Sequence, residues 1–465
     1  MSSNYNPDIK YRCDIIRGKA LKEMDDLLSL YADITHSLAP LEVGTFTDQF
    51  DEKLARKLKM TKKTISNQRS EMGRLFALYY EQDGIMYESE ICKFLIKSGD
   101  QPAFFKNLCL NFQFPNGTQK KETVTERIKA GIKLKPYHFI LSLLNLAKNA
   151  GLTLEKREIE YYALSSIEVL KGEVSPETVL AYIIKDRNKG ITKELTATSF
   201  SKVPKEHSYI HQHYTELFNY LELANLVSQD RKCLYLNSKE QKIIDVFISE
   251  LNEIQELEEI DKNGNATEAT RNLWAKYYGA LNHGEDILAT SADAIIKVVA
   301  EPLSQDKKEE GHIINTNQIG FEGEQYVLKK EKERVKAIRP IWENRVKYLG
   351  NIKGLGYDIL SVDTNEDCSK ALNRMIEVKS TKRVTIPNFS DDWYETFEIT
   401  AKEWESAEQF KGHYYIYRVY ITPMGFFVYI IANPFQQYEE GKLTVYPIKY
   451  QVDITKKNIE KLYDE

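Results

Sequence analysis

Residues 356–359 read Gly-Tyr-Asp-Ile, and residues 374–381 read Arg-Met-Ile-Glu-Val-Lys-Ser-Thr. Successive side chains of an extended strand point to opposite faces. Ile376 and Val378 therefore enter a core, while Glu377 and Lys379 project together from the other face. Asp358 ends a Gly-rich turn running into a second strand, and pairing the two strands brings its carboxylate beside that of Glu377. Clustered carboxylates repel unless a cation joins them, and hard oxygen ligands select Mg²⁺, with Mn²⁺ as a substitute. Such a cation would bind a phosphate oxygen and acidify a water, which Lys379 would orient or activate. The chemistry expected of this pattern is phosphodiester hydrolysis.

Just upstream, Gly320-Phe321-Glu322-Gly323-Glu324 opens a helical segment containing Glu331. Glu324 and Glu331 stand two turns apart on one face, so Glu324 can reach a metal while Glu331 supports it from behind. Glu-x-Lys alone is also a common exposed ion pair on strands, and does not decide the question. Further along, YYIYRVYIT and FFVYIIA are rich in β-branched and aromatic residues and predict strands. Tyr415 and Tyr417 are expected to pack on the sheet, with Arg418 a candidate for phosphate contact.

The ordered blocks GFEGE, GYDILS, RMIEVKST, FEITAKEW, YYIYRV and a final Asn-Pro resemble the nuclease-like domain named after the plant protein NO VEIN. That domain is similar to the PD-(D/E)XK nuclease superfamily, the fold of many restriction enzymes. The resemblance spans roughly residues 316 to 436. It implies that Asp358, Glu377 and Lys379 match the superfamily's D…E-x-K and that Glu324 matches its helical acid. Tyr357 stands where the superfamily pattern has Pro.

The first 250 residues read mostly as helices, as at Ile91, Phe94 and Leu95. Residues 54–76 resemble a helix-turn-helix, with a turn at Lys59-Met60-Thr61 and a second helix capped by Thr61. Ala55, Leu58, Ile65 and Met72 form its apolar seam. Lys62, Lys63, Thr64, Asn67, Gln68 and Arg69 are expected to face outward, where Asn and Gln suit adenine edges and the cations suit guanine or phosphate. Phe112-Gln113-Phe114-Pro115, Arg127 and Ile132–Pro136 look like a recurrent piece of type IIS recognition regions. Residues 190 to 250 predict a winged helix, with Arg231 and Lys232 at the wing tip against the DNA backbone. His207, His211 and His213 lack a matching acid or thiol pattern and read as polar surface or phosphate contacts.

The fold class expected is α+β and multidomain, with a mainly helical N-terminal region carrying helix-turn-helix and winged-helix modules before an α/β nuclease core with a mixed sheet. The divisions are 1–120 and 121–250 for DNA recognition, 251–315 as a helical connector, and 316–465 as the nuclease domain. The 465 residues suit roughly two to four domains. The composition, 42% hydrophobic and 29% charged, excludes disorder throughout. A net charge of −5 excludes a histone-like condenser but not a local basic surface. Five cysteines without CxxC spacing read as reduced thiols, and the absence of an apolar signal core predicts a cytoplasmic protein without membrane association.

The function expected is a type II restriction endonuclease acting on double-stranded DNA. Two cuts need two active sites or two visits, so a homodimer on DNA is expected, and a companion DNA methyltransferase with it. Two alternatives stay open: a modification-dependent restriction enzyme, and a non-catalytic DNA-binding protein retaining the nuclease fold.

Overall fold

The computed structural model describes residues 11, 13, 21–58, 62–117, 119–195, 207–255, 265–290, 295, 318–352, 354–364, 370–387 and 395–446. It contains two compact units, one of residues 1–330, 378–398 and 418–429, the other of residues 331–377, 399–417 and 430–465.

The first unit begins with helix Leu21–Leu38, strand β1 (Leu41–Glu42), helices Val43–Leu58 and Lys62–Phe76, and the hairpin β2 (Tyr79–Gln82) and β3 (Ile85–Glu88). Strands β1, β3 and β2 form an antiparallel sheet in that order, with Leu41 opposite Met86 and Tyr79 opposite Glu88. The expected helix-turn-helix is thus completed by a three-stranded wing into a winged helix. Phe46, Phe50 and Leu54 recur at four-residue intervals and are fully buried, and the first two rings pack against Tyr79. Ile65 joins this seam from the next helix; Thr61 and the Met72 side chain lie outside the described residues.

A second sheet is ordered β4 (Leu154–Glu155), β6 (Cys233–Leu236) and β5 (Val227–Gln229). Helix His207–Leu223 precedes its hairpin and helix Gln241–Ser249 follows, as the winged-helix reading of 190–250 expects. The third strand comes from farther upstream, because Leu154 and Glu155 pair with Leu234 and Cys233. One apolar core runs from Cys13 to Leu288, so the divisions at about residues 120 and 250 fall between stretches that share packing. Helix Glu268–Tyr278, expected within the connector, contributes Trp274 and Tyr278 to that core.

Helix Gln318–Ile338 opens the C-terminal region. Strands β7 (Lys347–Tyr348), β8 (Ile359–Thr364), β9 (Ala371–Lys382), β10 (Tyr414–Thr422) and β11 (Gly425–Ala432) are ordered β11-β10-β9-β8-β7 in one sheet. Helix Ala401–Phe410 precedes β10, its start fixed by a reciprocal capping box between Thr400 and Glu403. The chain is thus α+β, with helical modules before a sheet domain. No helix among the described residues is long and apolar enough to cross a membrane. Cys13, Cys92, Cys109 and Cys233 are free thiols, and Cys368 lies outside the described residues.

Candidate functional site

In the second unit, β8 and β9 run antiparallel with Ile359 opposite Ile376 and Ser361 opposite Arg374. The pairing ends at Ile359 and Ile376, and the Asp358 N–H donates to the Ile376 carbonyl at 2.9 Å, so Asp358 stands just before β8, bonded to the strand that carries Glu377. Both carboxylates act on one nearby phenol: burial first, then the charges of Glu377, Glu403 and Asp358, push the Tyr414 hydroxyl well above its ordinary range. Glu377 is only 4% exposed.

The loop before Asp358 is held tightly. The Tyr414 hydroxyl donates to the Gly356 carbonyl at 2.9 Å, and Ser406 donates to the Leu355 carbonyl at 3.2 Å. Gly356 adopts φ +76, and a Cβ there would stand 2.3 Å from the Ser406 Oγ and 2.7 Å from the Lys402 carbonyl oxygen. The Gly-rich turn read from sequence is therefore required by both backbone conformation and close approach.

The alternate face of β8 and β9 carries a separate polar network. Glu331 is buried and accepts from Arg334 at 2.7 Å, Ser361 at 2.6 Å and Tyr417 at 2.8 Å. Burial raises the Glu331 carboxyl, but the hydrogen bonds and the Arg334 charge outweigh it and hold the group below its ordinary range. Arg374 donates to the Tyr417 hydroxyl at 2.7 Å, and its guanidinium lies 3.6 Å from the centre of the Tyr415 ring. The alternating tyrosines thus pack on the sheet, as expected. Glu331 is committed to fastening the helix to the strands on the face that alternates with Glu377.

Lys379 follows Glu377 by two residues on β9 and is half-buried. Glu324 is half-buried on helix Gln318–Ile338, one residue beyond Gly323. At Gly323 the helix comes so close to β9 that a Cβ would lie 1.9 Å from the Ser380 Oγ. Arg418 is not free for phosphate: it is buried, it pairs with Glu395 at 2.6 Å, and it donates to the Lys379 carbonyl at 2.9 Å.

In the helix-turn-helix, Lys63, Thr64 and Asn67 are exposed, whereas the side chains of Lys62 and Gln68 lie outside the described residues. Arg69 is drawn inward rather than outward, pairing with Asp51 at 2.6 Å. Arg231 and Lys232 are exposed at the tip of the second hairpin, where the Lys232 and Cys233 amides both donate to Asp230 at 2.7 Å. The side chains of His207, His211 and His213 lie outside the described residues. Of the recognition-like piece, Phe112, Gln113, Phe114, Arg127, Ile132 and Leu134 are buried, whereas Lys133 is exposed. Phe114 and Leu134 bridge, Arg127 lies 4.5 Å above the Phe114 ring, and Gln113 exchanges two hydrogen bonds with the Gln255 backbone.

Among the described residues no group of three or more His, Cys, Asp and Glu gathers as a metal cage. Mg²⁺ characteristically takes one or two protein carboxylates and leaves its other positions to water and phosphate. Asp358 and Glu377 offer two such carboxylates.

The winged helix, the second hairpin module and the C-terminal sheet together define a restriction-type protein directed at DNA. Residues 5–277 match the family model of the restriction endonuclease BpuJI N-terminal domain, more than half of the chain, and the chain belongs to that family. Residues 323–428 match the model of the C-terminal domain of protein NO VEIN. Among solved structures, the chain is similar to the BpuJ1 endonuclease binding domain in complex with pyrene- and phenanthrene-modified DNA. Identity is 37%, coverage is 59% of this chain and 100% of that one, and the TM-score is 0.55. No curated protein matches.

Proposed function

We propose that this chain is a Mg²⁺-dependent restriction endodeoxyribonuclease that binds duplex DNA through its N-terminal region and hydrolyses phosphodiester bonds in its C-terminal sheet domain. The observation that carries the proposal is the Asp358 N–H bond to the Ile376 carbonyl, which sets Asp358 beside the strand that carries Glu377, with Lys379 two residues along that strand. Asp358 and Glu377 would hold the divalent cation, Mg²⁺ or Mn²⁺, which supplies a Lewis acid for a phosphate oxygen and acidifies bound water. The Lys379 ammonium orients the attacking water and offsets negative charge growing at phosphorus. Glu324 is the helical acid that the family resemblance implies. Tyr414 bonds to Gly356 and keeps Asp358 at the end of its loop, so the carboxylates meet substrate already arranged.

Recognition rests on the exposed face of helix Lys62–Phe76. Asn67 and Gln68 suit adenine edges, and Lys62, Lys63 and Thr64 suit phosphate or guanine. Arg231 and Lys232 touch the DNA backbone from the second wing. The similarity to a binding domain solved in complex with DNA supports DNA binding by the N-terminal region. Cutting both strands calls for two copies of the chain on DNA, and protecting host sites calls for a companion methyltransferase.

Incubation with unmodified phage DNA and Mg²⁺, followed by sequencing of the ends, tests the reading. Discrete fragments are expected, and none from Glu377→Ala. Parent protein that binds DNA yet leaves it whole with both Mg²⁺ and Mn²⁺ would leave only a DNA-binding role.

A further inference from the structure

Arg418 on β10 is 7% exposed, and its guanidinium is fixed in three directions. Nη1 donates to the Lys379 main-chain carbonyl at 2.9 Å, Nη2 to the Thr381 Oγ at 2.5 Å, and Nε and Nη2 to the Glu395 carboxylate at 3.0 and 2.6 Å. The Tyr420 hydroxyl donates to the other oxygen of Glu395, closing the arrangement. A planar fork held at three points is a rigid spacer, which a lysine in its place could not be.

The segment that supplies Glu395 also rests on the winged helix. Lys57 donates to the Thr396 hydroxyl at 3.2 Å, and the His36 Nε2 lies 3.7 Å from a Glu398 oxygen while its Nδ1 meets Glu88 at 2.9 Å. Residues 395–398 therefore touch both the recognition module and the side chain that grips β9.

We propose that Arg418, clamped by Glu395, is a positioning residue that sets the backbone beneath Lys379, and that the strap 395–398 ties this setting to the seat of the winged helix. The assignment rests on the nuclease reading above. Displacing a catalytic group by about 1 Å can cost on the order of a hundredfold in rate. Arg418 acts through Lys379 and makes no contact with substrate.

Removing Arg418 alone strands the half-buried Glu395, so the informative variant is R418M/E395Q, which deletes both charges at similar volume. The full chain is assayed on unmodified phage DNA with Mg²⁺, at enzyme excess for slow variants. R418M/E395Q is expected to lower kcat at least tenfold with KM for DNA unchanged within twofold. K379A and K379A/R418M/E395Q are expected to cut equally slowly, because a residue that acts only through Lys379 adds nothing once the ammonium is gone. Should the charge-free pair fail to fold, R418K supplies the same comparison, since it keeps the charge beside Glu395 but loses the fork. Rates that multiply between K379A and the Arg418 change, or a parental kcat in R418M/E395Q or R418K, overturn the assignment while leaving the nuclease reading intact. A parent that cuts no DNA under any divalent cation overturns both.

Discussion

Arg69 of the second helix and Asp51 of the first are joined by an ion pair at 2.6 Å within the helix-turn-helix, both side chains largely shielded from solvent. The Arg69 carbonyl also accepts the Tyr79 hydroxyl of the wing at 3.2 Å, so one residue fastens helix to helix and helix to sheet. Arg69→Ala is expected to cost about 2 kcal/mol of stability, the range for a hydrogen bond to a charged group. DNA affinity should fall with no change in the slope of log K against log salt. A flattened slope would instead make Arg69 a phosphate contact.

Lys63, Arg231 and Lys232 are exposed cations on the two surfaces proposed to meet DNA. Replacing any one with Ala should reduce that salt slope by roughly 0.9 and weaken binding alike on all sequences. Asn67→Ala should instead relax discrimination at one base pair by about 1–3 kcal/mol. Fluorescence anisotropy across a salt series, on matched and mismatched duplexes, separates the two behaviours.

Asp33 is the group with the clearest consequence for pH. Burial raises its carboxyl to about 7; the nearby Lys57 and Arg418 lower it, and Glu395 and Glu398 raise it. Between the ordinary carboxyl pKa and about 7 the folded chain holds a proton that the unfolded chain has released. The contribution of Asp33 to stability therefore falls as pH rises through that window and levels off above it. The full difference is of order 4 kcal/mol at most. Asp33→Asn should raise Tm at pH 8 and leave it nearly unchanged at pH 4. A Tm gain equal at both pH values would refute the account.

Gly356→Ala adds a methyl group where backbone conformation and two close neighbours forbid it. Cleavage should drop by more than tenfold as Asp358 is displaced, with DNA binding retained. Gly354 has a similar φ of +88 but open space around it, so Gly354→Ala should show only the smaller cost of the conformation. Equal effects of the two changes would remove close packing as the cause.

Lys106 and Glu240 meet at 2.9 Å in the interior of the N-terminal core, and Lys106 also donates to Thr290 at 2.7 Å. Lys106→Met should cost roughly 3–5 kcal/mol by leaving the carboxylate buried without its cation. Adding Glu240→Gln should recover most of that loss. Denaturant melts of the single and double variants read the difference directly.

The alternation Ile376, Glu377, Val378, Lys379 made β9 legible as a strand from period alone, although Arg374 to Val378 are buried on both faces, and the tyrosine-rich stretch after residue 413 was legible as β10 for the same reason. The helices and the first helix-turn-helix were equally readable, because their spacing is local. The wing beside that module was not. Strands of four residues carry too few alternations to announce themselves.

What the chain alone decided is which residue types stand at which period: two carboxylates and a lysine where paired strands can face them together, and cations along one helix. What only the tertiary structure decided is whom each charge meets. Arg69 turns to Asp51 and Arg418 to Glu395 and the Lys379 carbonyl, and β6 takes its third strand from Leu154–Glu155. Local periodicity fixes the face a side chain leaves from, whereas its partner is set by packing between segments far apart in sequence. Arg383 meeting Asp26 across 357 positions shows how far that reach extends.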